Sequence, residues 1–305
     1  MRTRRRTRAP LRLPDHSPGV TSQAGHSRPS SAGKALFPRL RLVLLICLSA
    51  AFVFSVTMLI RHYASGAREE LALKKLTTLV ASHTQTPMAS AVPGNVVEPA
   101  PTPKAPVIMD RYRELYQQNP DMVGWIRIAG TKIDYPVMYT GDDFYLSHGF
   151  DKKASRSGVP FIDKRCSVWP MGTNTILYGH HMKNGTMFAG LEKYKSEKYY
   201  KEHPVIQLDT LYEQQEYEIV AVFESQIFRK SETVFKHYNF LHAASEAEFN
   251  EYISGIRVLA LYDTGVAAFY GDSLLTLVTC AYHTENGQFV VVARKRATSA
   301  FDAGG

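Results

Sequence analysis

The sequence predicts a mostly β domain, a closed barrel or a sandwich of eight strands, held outside a membrane by a single spanning helix. Three observations predict it: a charge-free apolar run near the N-terminus, a Pro/Ala-rich stretch after it, and eight short apolar runs between residues 125 and 294 rich in β-branched and aromatic side chains. An apolar content of 45% is ordinary for a globular chain of 305 residues.

The first element is a basic tail. Residues 1–41 hold ten Lys/Arg against Asp15 alone, so the tail carries +9 while the whole chain carries +8, and residues 42–305 sum to about −1. A folded part without a concentrated positive field gives a duplex nothing to grip, which argues against nucleic acid as a partner.

From Leu42 to Ile60 the chain reads LVLLICLSAAFVFSVTMLI, bracketed by Arg41 and Arg61. About 20 such residues at 1.5 Å rise cross a hydrocarbon core of roughly 30 Å. The basic excess ahead of the run places the N-terminus in the cytoplasm and the rest of the chain outside. The run is longer than the roughly 7–15 residues of a signal-peptide core and no convincing small-x-small cleavage site follows at once, so it reads as an uncleaved single-pass anchor in the cell membrane. Residues 61–107 are a juxtamembrane segment and spacer: 63–80 has the pattern of a short amphipathic helix, and 81–107 is Pro/Ala-rich with few large apolar groups.

The folded domain is expected over 108–295, with 296–305 as a C-terminal tail. Met109, Tyr112, Leu115 and Tyr116 lie at helical spacing, and Asn119-Pro120 ends that helix. The strands follow as WIRI (125–128), IDYPVM (133–138), VPFID (159–163), NTILY (174–178), VIQLD (205–209), YEIVAVF (217–223), LLTLVTC (274–280) and FVVVAR (289–294). Between the sixth and seventh, SEAEFNEYISGI (245–256) carries the capping pair Ser245 and Glu248, with Phe249, Tyr252, Ile253 and Ile256 on one face, and predicts a helix packed on the strands.

Chemistry concentrates on one cysteine. Cys47 lies in the spanning run, Cys166 in the turn-like DKRCSVWPMGT, and Cys280 at the end of a strand. Exported domains usually pair their cysteines, so a Cys166–Cys280 disulfide is one reading. The other is a nucleophile, which works as thiolate and needs a proton donor and acceptor close by. His180 suits that second reading: it follows NTILY through Gly179 and so occupies the same kind of strand terminus as Cys280. His181 points the opposite way along a continuing strand and is expected to be structural. A zinc site from Cys280, His283, His180 and His181 fits poorly, because the adjacent histidines do not converge on one ion and Cys-x-x-His lacks a second matched pair. No cofactor is implied, and no clustered carboxylates argue for calcium.

TILYGHHMKNGTMF (175–188) and LTLVTCAYHTENGQFVVVAR (275–294) resemble the histidine and cysteine motifs of sortases, the membrane-anchored cysteine transpeptidases of Gram-positive bacteria. The resemblance covers roughly 108–295. It is to class B, through the helix ahead of the barrel, NPDMVGWIRIAGTKIDYPVM at 119–138, and the helix at 245–256 followed by LYDTG. It implies an eight-stranded sortase β-barrel in which Cys280 is the nucleophile, His180 the general acid/base and Tyr178 a lining of the substrate groove. The implied partners are secreted proteins bearing a C-terminal sorting signal of the LPxTG or NPxTN kind, with a peptidoglycan precursor or pilin amine as acceptor.

One position departs from the family. Sortases place an arginine on the strand after the cysteine, and here Asn286-Gly287-Gln288-Phe289 puts Gln288 there. An amide donates a neutral hydrogen bond but lacks the guanidinium's charge and fork. Arg294 shares the parity of Gln288 yet lies about 20 Å along the strand. An alternative reading follows, a sortase-fold binding protein with weak or no turnover.

Overall fold

A computed structural model of the chain describes residues 36–84, 106–281 and 284–297. The basic tail through residue 35, the spacer at 85–105, His283 and the chain beyond residue 297 lie outside the described residues. The chain divides into two units, residues 1–59 and 60–305. In the first, helix α1 (Leu36–Thr84) begins and exposes Leu42, Leu44, Phe52, Phe54 and their neighbours on all sides. It is long and apolar enough to cross a membrane by length and composition. The amphipathic pattern at 63–80 does not start a new helix but continues α1 without a break.

In the second unit, α2 (Asp110–Gln118) precedes strands β1 (Met122–Arg127), β2 (Asp134–Met138), β3 (Phe161–Ile162), β4 (Asn174–Tyr178), β5 (Val205–Thr210), β6 (Glu216–Gln226), β7 (Leu274–Cys280) and β8 (Gly287–Lys295). The short α3 (Glu197–Glu202) lies between β4 and β5, and α4 (Glu246–Leu259) between β6 and β7. The strands close into a barrel in the order β1-β2-β3-β4-β7-β8-β6-β5, so of the two architectures the sequence allowed, the barrel forms. Closure removes the unpaired edges that a sandwich keeps. Helices take a larger share than "mostly β" conveys, since α1 alone has 49 residues.

Every predicted strand is present, β4 and β7 with the predicted ends and the others with shifted ones. β3 shrinks to two residues because Pro160 has no N–H to give the ladder; its carbonyl instead accepts from Met138 N at 3.0 Å. The α3 helix was not anticipated, although Ser196 caps it by accepting from Tyr199 N and Glu197 pairs with Lys201 one turn on. The predicted capping of α4 is present: Ser245 accepts from Glu248 N, and the Glu248 carboxylate reaches back to Ala244 N at 2.9 Å.

Two apolar clusters hold this unit. The larger fills the barrel and continues under α4 through Phe249, Tyr252, Ile253 and Ile256. The smaller joins α1 residues Leu76 and Val80 to Tyr112 and Leu115 of α2, Trp125, Tyr145, Val159 and Phe161.

β4 and β7 run parallel, in the register Asn174↔Leu274 to Tyr178↔Val278. A buried polar pair pins that register: Thr276 Oγ1 donates to Asn174 Oδ1 at 2.8 Å, while Asn174 Nδ2 donates to Phe240 O at 2.8 Å. A slip by one residue would leave these groups unpaired in the core. Replacing Thr276 by the isosteric valine strands the Asn174 oxygen, and the expected cost is about 1–3 kcal/mol, read as a lower midpoint in denaturant unfolding.

Candidate active site

The β4–β7 register carries the two residues singled out by their motifs to one place. Tyr178 pairs with Val278; Cys280 lies two residues further along β7, and His180 lies two residues past the end of β4, at the same rim of the barrel. On the other side, antiparallel pairing sets Gln288 of β8 directly opposite Cys280, and Ser225 of β6 opposite Gln288. Three adjacent strands therefore present Cys280, Gln288 and Ser225 in one row, with His180 just past the end of β4 at the same rim.

Gly179 makes the exit from β4 possible. A Cβ there would lie 2.6 Å from the ring of the fully buried Phe188, whose own N–H donates to His180 O at 2.9 Å. The glycine thus lets Phe188 pack over the strand end and fix the backbone of His180.

The His180 ring is held by a backbone group: Nε2 lies 2.7 Å from Leu146 O. A carbonyl only accepts, so Nε2 carries the hydrogen, and in the neutral ring Nδ1 keeps the free lone pair. β4 ends before His181, whose Nδ1 donates to Cys280 O at 3.0 Å. This histidine anchors the last carbonyl of β7, a contact that motif reading missed.

All three cysteines are free; Cys280 and Cys47 are exposed. Cys166 is buried beside β4, where its sulfur accepts from Ile176 N, and burial pushes its thiol above the ordinary value. No Cys166–Cys280 bridge is present. Among the described residues, no three His, Cys, Asp or Glu side chains converge as a metal site would require. Gln288 is buried and its Oε1 has no hydrogen-bond partner among the described residues. Arg294 stands at the far end of β8, opposite Leu274, and donates to Glu218 at 2.9 Å.

Tyr178 flanks the row. Its ring is half-buried over Phe161, and its hydroxyl donates to Asp163 Oδ2 at 3.2 Å. Asp163 is gripped by Arg165 through Nε at 2.9 Å and Nη2 at 2.7 Å, and Nη2 also reaches Tyr238 O at 2.8 Å. Burial alone would raise the Asp163 carboxyl, but hydrogen bonds from the Arg165 side chain and backbone, with that arginine's charge and the Tyr178 hydroxyl, outweigh it and hold the group below its ordinary value. The network ties the β3–β4 connection to the segment between β6 and α4. No motif announces it, because its members are matched only in space.

A profile described as the Sortase domain matches residues 126–296, more than half of the chain. The chain belongs to the sortase family. Its relatives place it in class B: it is 34% identical to sortase B of Listeria monocytogenes over 188 residues, 60% of this chain and 73% of that protein. It is 30% identical to sortase B of Staphylococcus aureus over 192 residues, 61% of this chain and 75% of that one. Among solved structures, a complex of sortase B from Bacillus anthracis aligns with a TM-score of 0.61 at 26% identity, covering 76% of this chain and 98% of that one. The protein is thus a sortase-type cysteine transpeptidase with the eight-stranded barrel that the motifs implied.

For this sortase the Asp163 network makes a pH-dependent contribution to stability. A carboxyl with a depressed folded-state pKa stabilises above its unfolded pKa of about 3.9, and the contribution is lost as pH falls through the lower folded value. Asp163→Asn is expected to lower stability by about 1–3 kcal/mol at pH 7. Thermal melts of variant and parent are expected to converge below about pH 4.

Proposed function

We propose that this sortase cleaves a C-terminal sorting signal of the LPxTG or NPxTN kind and transfers the released acyl group to an amine, with Cys280 and His180 as the reacting pair. The observation that carries the reading is the shared rim: the parallel register sets an exposed thiol and an imidazole of defined tautomer at neighbouring strand ends. The Cys280 thiol gives its proton to His180 Nδ1, the thiolate attacks the threonyl carbonyl, the C–N bond breaks, and His180 passes that proton to the departing amine, leaving a thioester. An incoming peptidoglycan or pilin amine then attacks the thioester, His180 takes its proton, and the thiolate leaves. Nδ1 is the nitrogen available for these transfers, since Nε2 is committed to Leu146 O.

Gln288 stands where it can donate its amide N–H to the oxyanion of each tetrahedral intermediate, in place of the family's arginine. Tyr178, braced by Asp163, lines the groove that receives the signal. The apolar part of α1 serves as a single-pass anchor, with the catalytic domain on the outer face of a Gram-positive cell and the basic tail in the cytoplasm.

A second reading is favoured by one residue. With a neutral amide at position 288, the protein captures sorting signals and turns them over slowly or not at all. Loss of a charged oxyanion donor costs on the order of 100-fold in rate. Intact-mass measurement of the full-length chain in detergent micelles with LPxTG- and NPxTN-type peptides separates the two. The transpeptidase gives a peptide adduct that disappears in Cys280→Ala and forms about 100-fold faster in Gln288→Arg. The binder retains peptide without an adduct on the parent chain.

A further inference from the structure

His180 owes its orientation to one carbonyl, that of Leu146, and the packing around this carbonyl leads to the membrane-proximal helix. Leu146 ends the 3-10 turn Phe144–Leu146, whose start is capped by Asp142 Oδ1 accepting from Phe144 N at 2.9 Å. A second turn lies directly against it. Gly158 has φ +55°, and a Cβ there would collide with Tyr145 O and come within 2.8 Å of Leu146 O. Val159 N donates to Tyr145 O, and Ser155 N to Ser147 O, so residues 155–159 form the wall behind the carbonyl that receives the imidazole N–H.

This wall is held from outside the barrel. Ser157, buried at 5% exposure, donates its hydroxyl to Glu69 Oε2 at 2.6 Å, and Arg156 N donates to Glu69 Oε1 at 3.4 Å. Ser155 Oγ lies 3.1 Å from Ser157 Oγ and accepts from Gly158 N at 3.1 Å. Glu69 belongs to α1, nine residues beyond Ile60. It shares a helix face with Leu73, Leu76 and Val80, at spacings of four, three and four. Leu76 and Val80 are buried in the same cluster as Tyr145 and Val159, the residues that flank the two turns. Both carboxylate oxygens of a residue just past the anchor thus grip the turn that backs the histidine's acceptor.

We propose that Glu69 is a positioning residue for His180, acting through Ser157, Gly158 and the Leu146 carbonyl, so that the helix leaving the membrane also sets the tautomer of the acid/base. The proposal rests on the reading of His180 as the proton-transfer group. The carbonyl keeps the hydrogen on Nε2 and accepts from it again when the ring becomes cationic, so both states of the proton shuttle depend on its position. Releasing the 155–159 turn lets the carbonyl move and the ring sample the other tautomer, which places hydrogen on the nitrogen that must accept it. None of these atoms belongs to Tyr178 or Gln288, the groups assigned above to the sorting peptide.

The test uses full-length chain in detergent micelles, the variants Glu69→Ala, Glu69→Gln, Ser157→Ala and Glu69→Ala/Ser157→Ala, and Cys280→Ala as the chemical control. Two readouts are taken: kcat and KM for acyl transfer from the sorting peptide, and the nitrogen chemical shifts of His180 with labelled histidine. The expected result is a fall in kcat of about 10- to 100-fold in Glu69→Ala and Ser157→Ala with KM within about twofold, because small misplacements of a proton-transfer group act on rate. The double variant is expected to be no slower than either single one, and Glu69→Gln, which keeps an acceptor for Ser157, to recover most of the rate. The parent is expected to show the Nε2–H tautomer and Glu69→Ala a mixture. Parental kcat and tautomer in Glu69→Ala would overturn the proposal, as would a lower melting temperature with unchanged His180 shifts, or losses that add in the double variant. The nitrogen shifts do not depend on turnover. A chain that forms no Cys280-dependent adduct but changes tautomer in Glu69→Ala would therefore fault the enzymatic reading and leave the positioning geometry standing.

Discussion

The pairing of β4 with β7 is the constraint on which the rest of the site depends. It is parallel, so it cannot be made by a hairpin, and the chain travels through α3, β5, β6 and α4 before β7 returns beside β4. Both strands are buried along nearly their whole length, consistent with their continuous apolar runs. Their relative height is specified by few groups, chief among them Asn174 and Thr276, which satisfy each other in the core. Because side chains alternate along a strand, a shift of one residue would displace the histidine by about 3.3 Å relative to the cysteine and turn it to the other face. The chemistry at the rim is therefore tied to a hydrogen bond well inside the barrel.

Around this row the protein relies on neutral and indirect devices. The imidazole is oriented by a carbonyl, the last peptide of β7 by His181, and the position opposite the thiol is an amide. Arg165 is engaged with Asp163, and Arg294, at the far end of β8, with Glu218. A guanidinium already committed to a bidentate carboxylate gives up those bonds before it can serve a substrate. Gln288 Oε1 has no partner among the described residues. The Asp163 network acts instead as mechanical bracing, since it holds Tyr178 from below and joins the β3–β4 connection to the Tyr238 carbonyl.

The second apolar cluster gives the membrane-proximal part of α1 a structural role. Leu76 and Val80 are buried against the same residues that support α2 and the turns at 144–146 and 155–159. A groove of about 1320 Å³ opens there, bordered by α1 and by residues 149–159. From its composition the juxtamembrane segment reads as a tether with an amphipathic pattern. In the fold, that pattern packs on the domain.

The sequence by itself determined the strands, the helices at 110–118 and 245–256, the apolar run and the two motifs that carry Cys280 and His180. These are local properties: periodicity, capping residues, turn formers and spacing are written into neighbouring positions. The departure at Gln288 was equally legible, because a motif assigns a position before any contact is known. Only the tertiary structure decided that the strands close into a barrel, that β4 and β7 lie side by side in register, and that Leu146, Glu69, Ser157 and the Asp163–Arg165 pair surround the site. The contacts of Glu69 with Ser157 and of Leu146 with His180 join residues tens of positions apart, and in the case of Leu146 they use a backbone carbonyl that every residue possesses. A group common to all twenty amino acids leaves no mark in composition or motif; its function comes from where the chain places it.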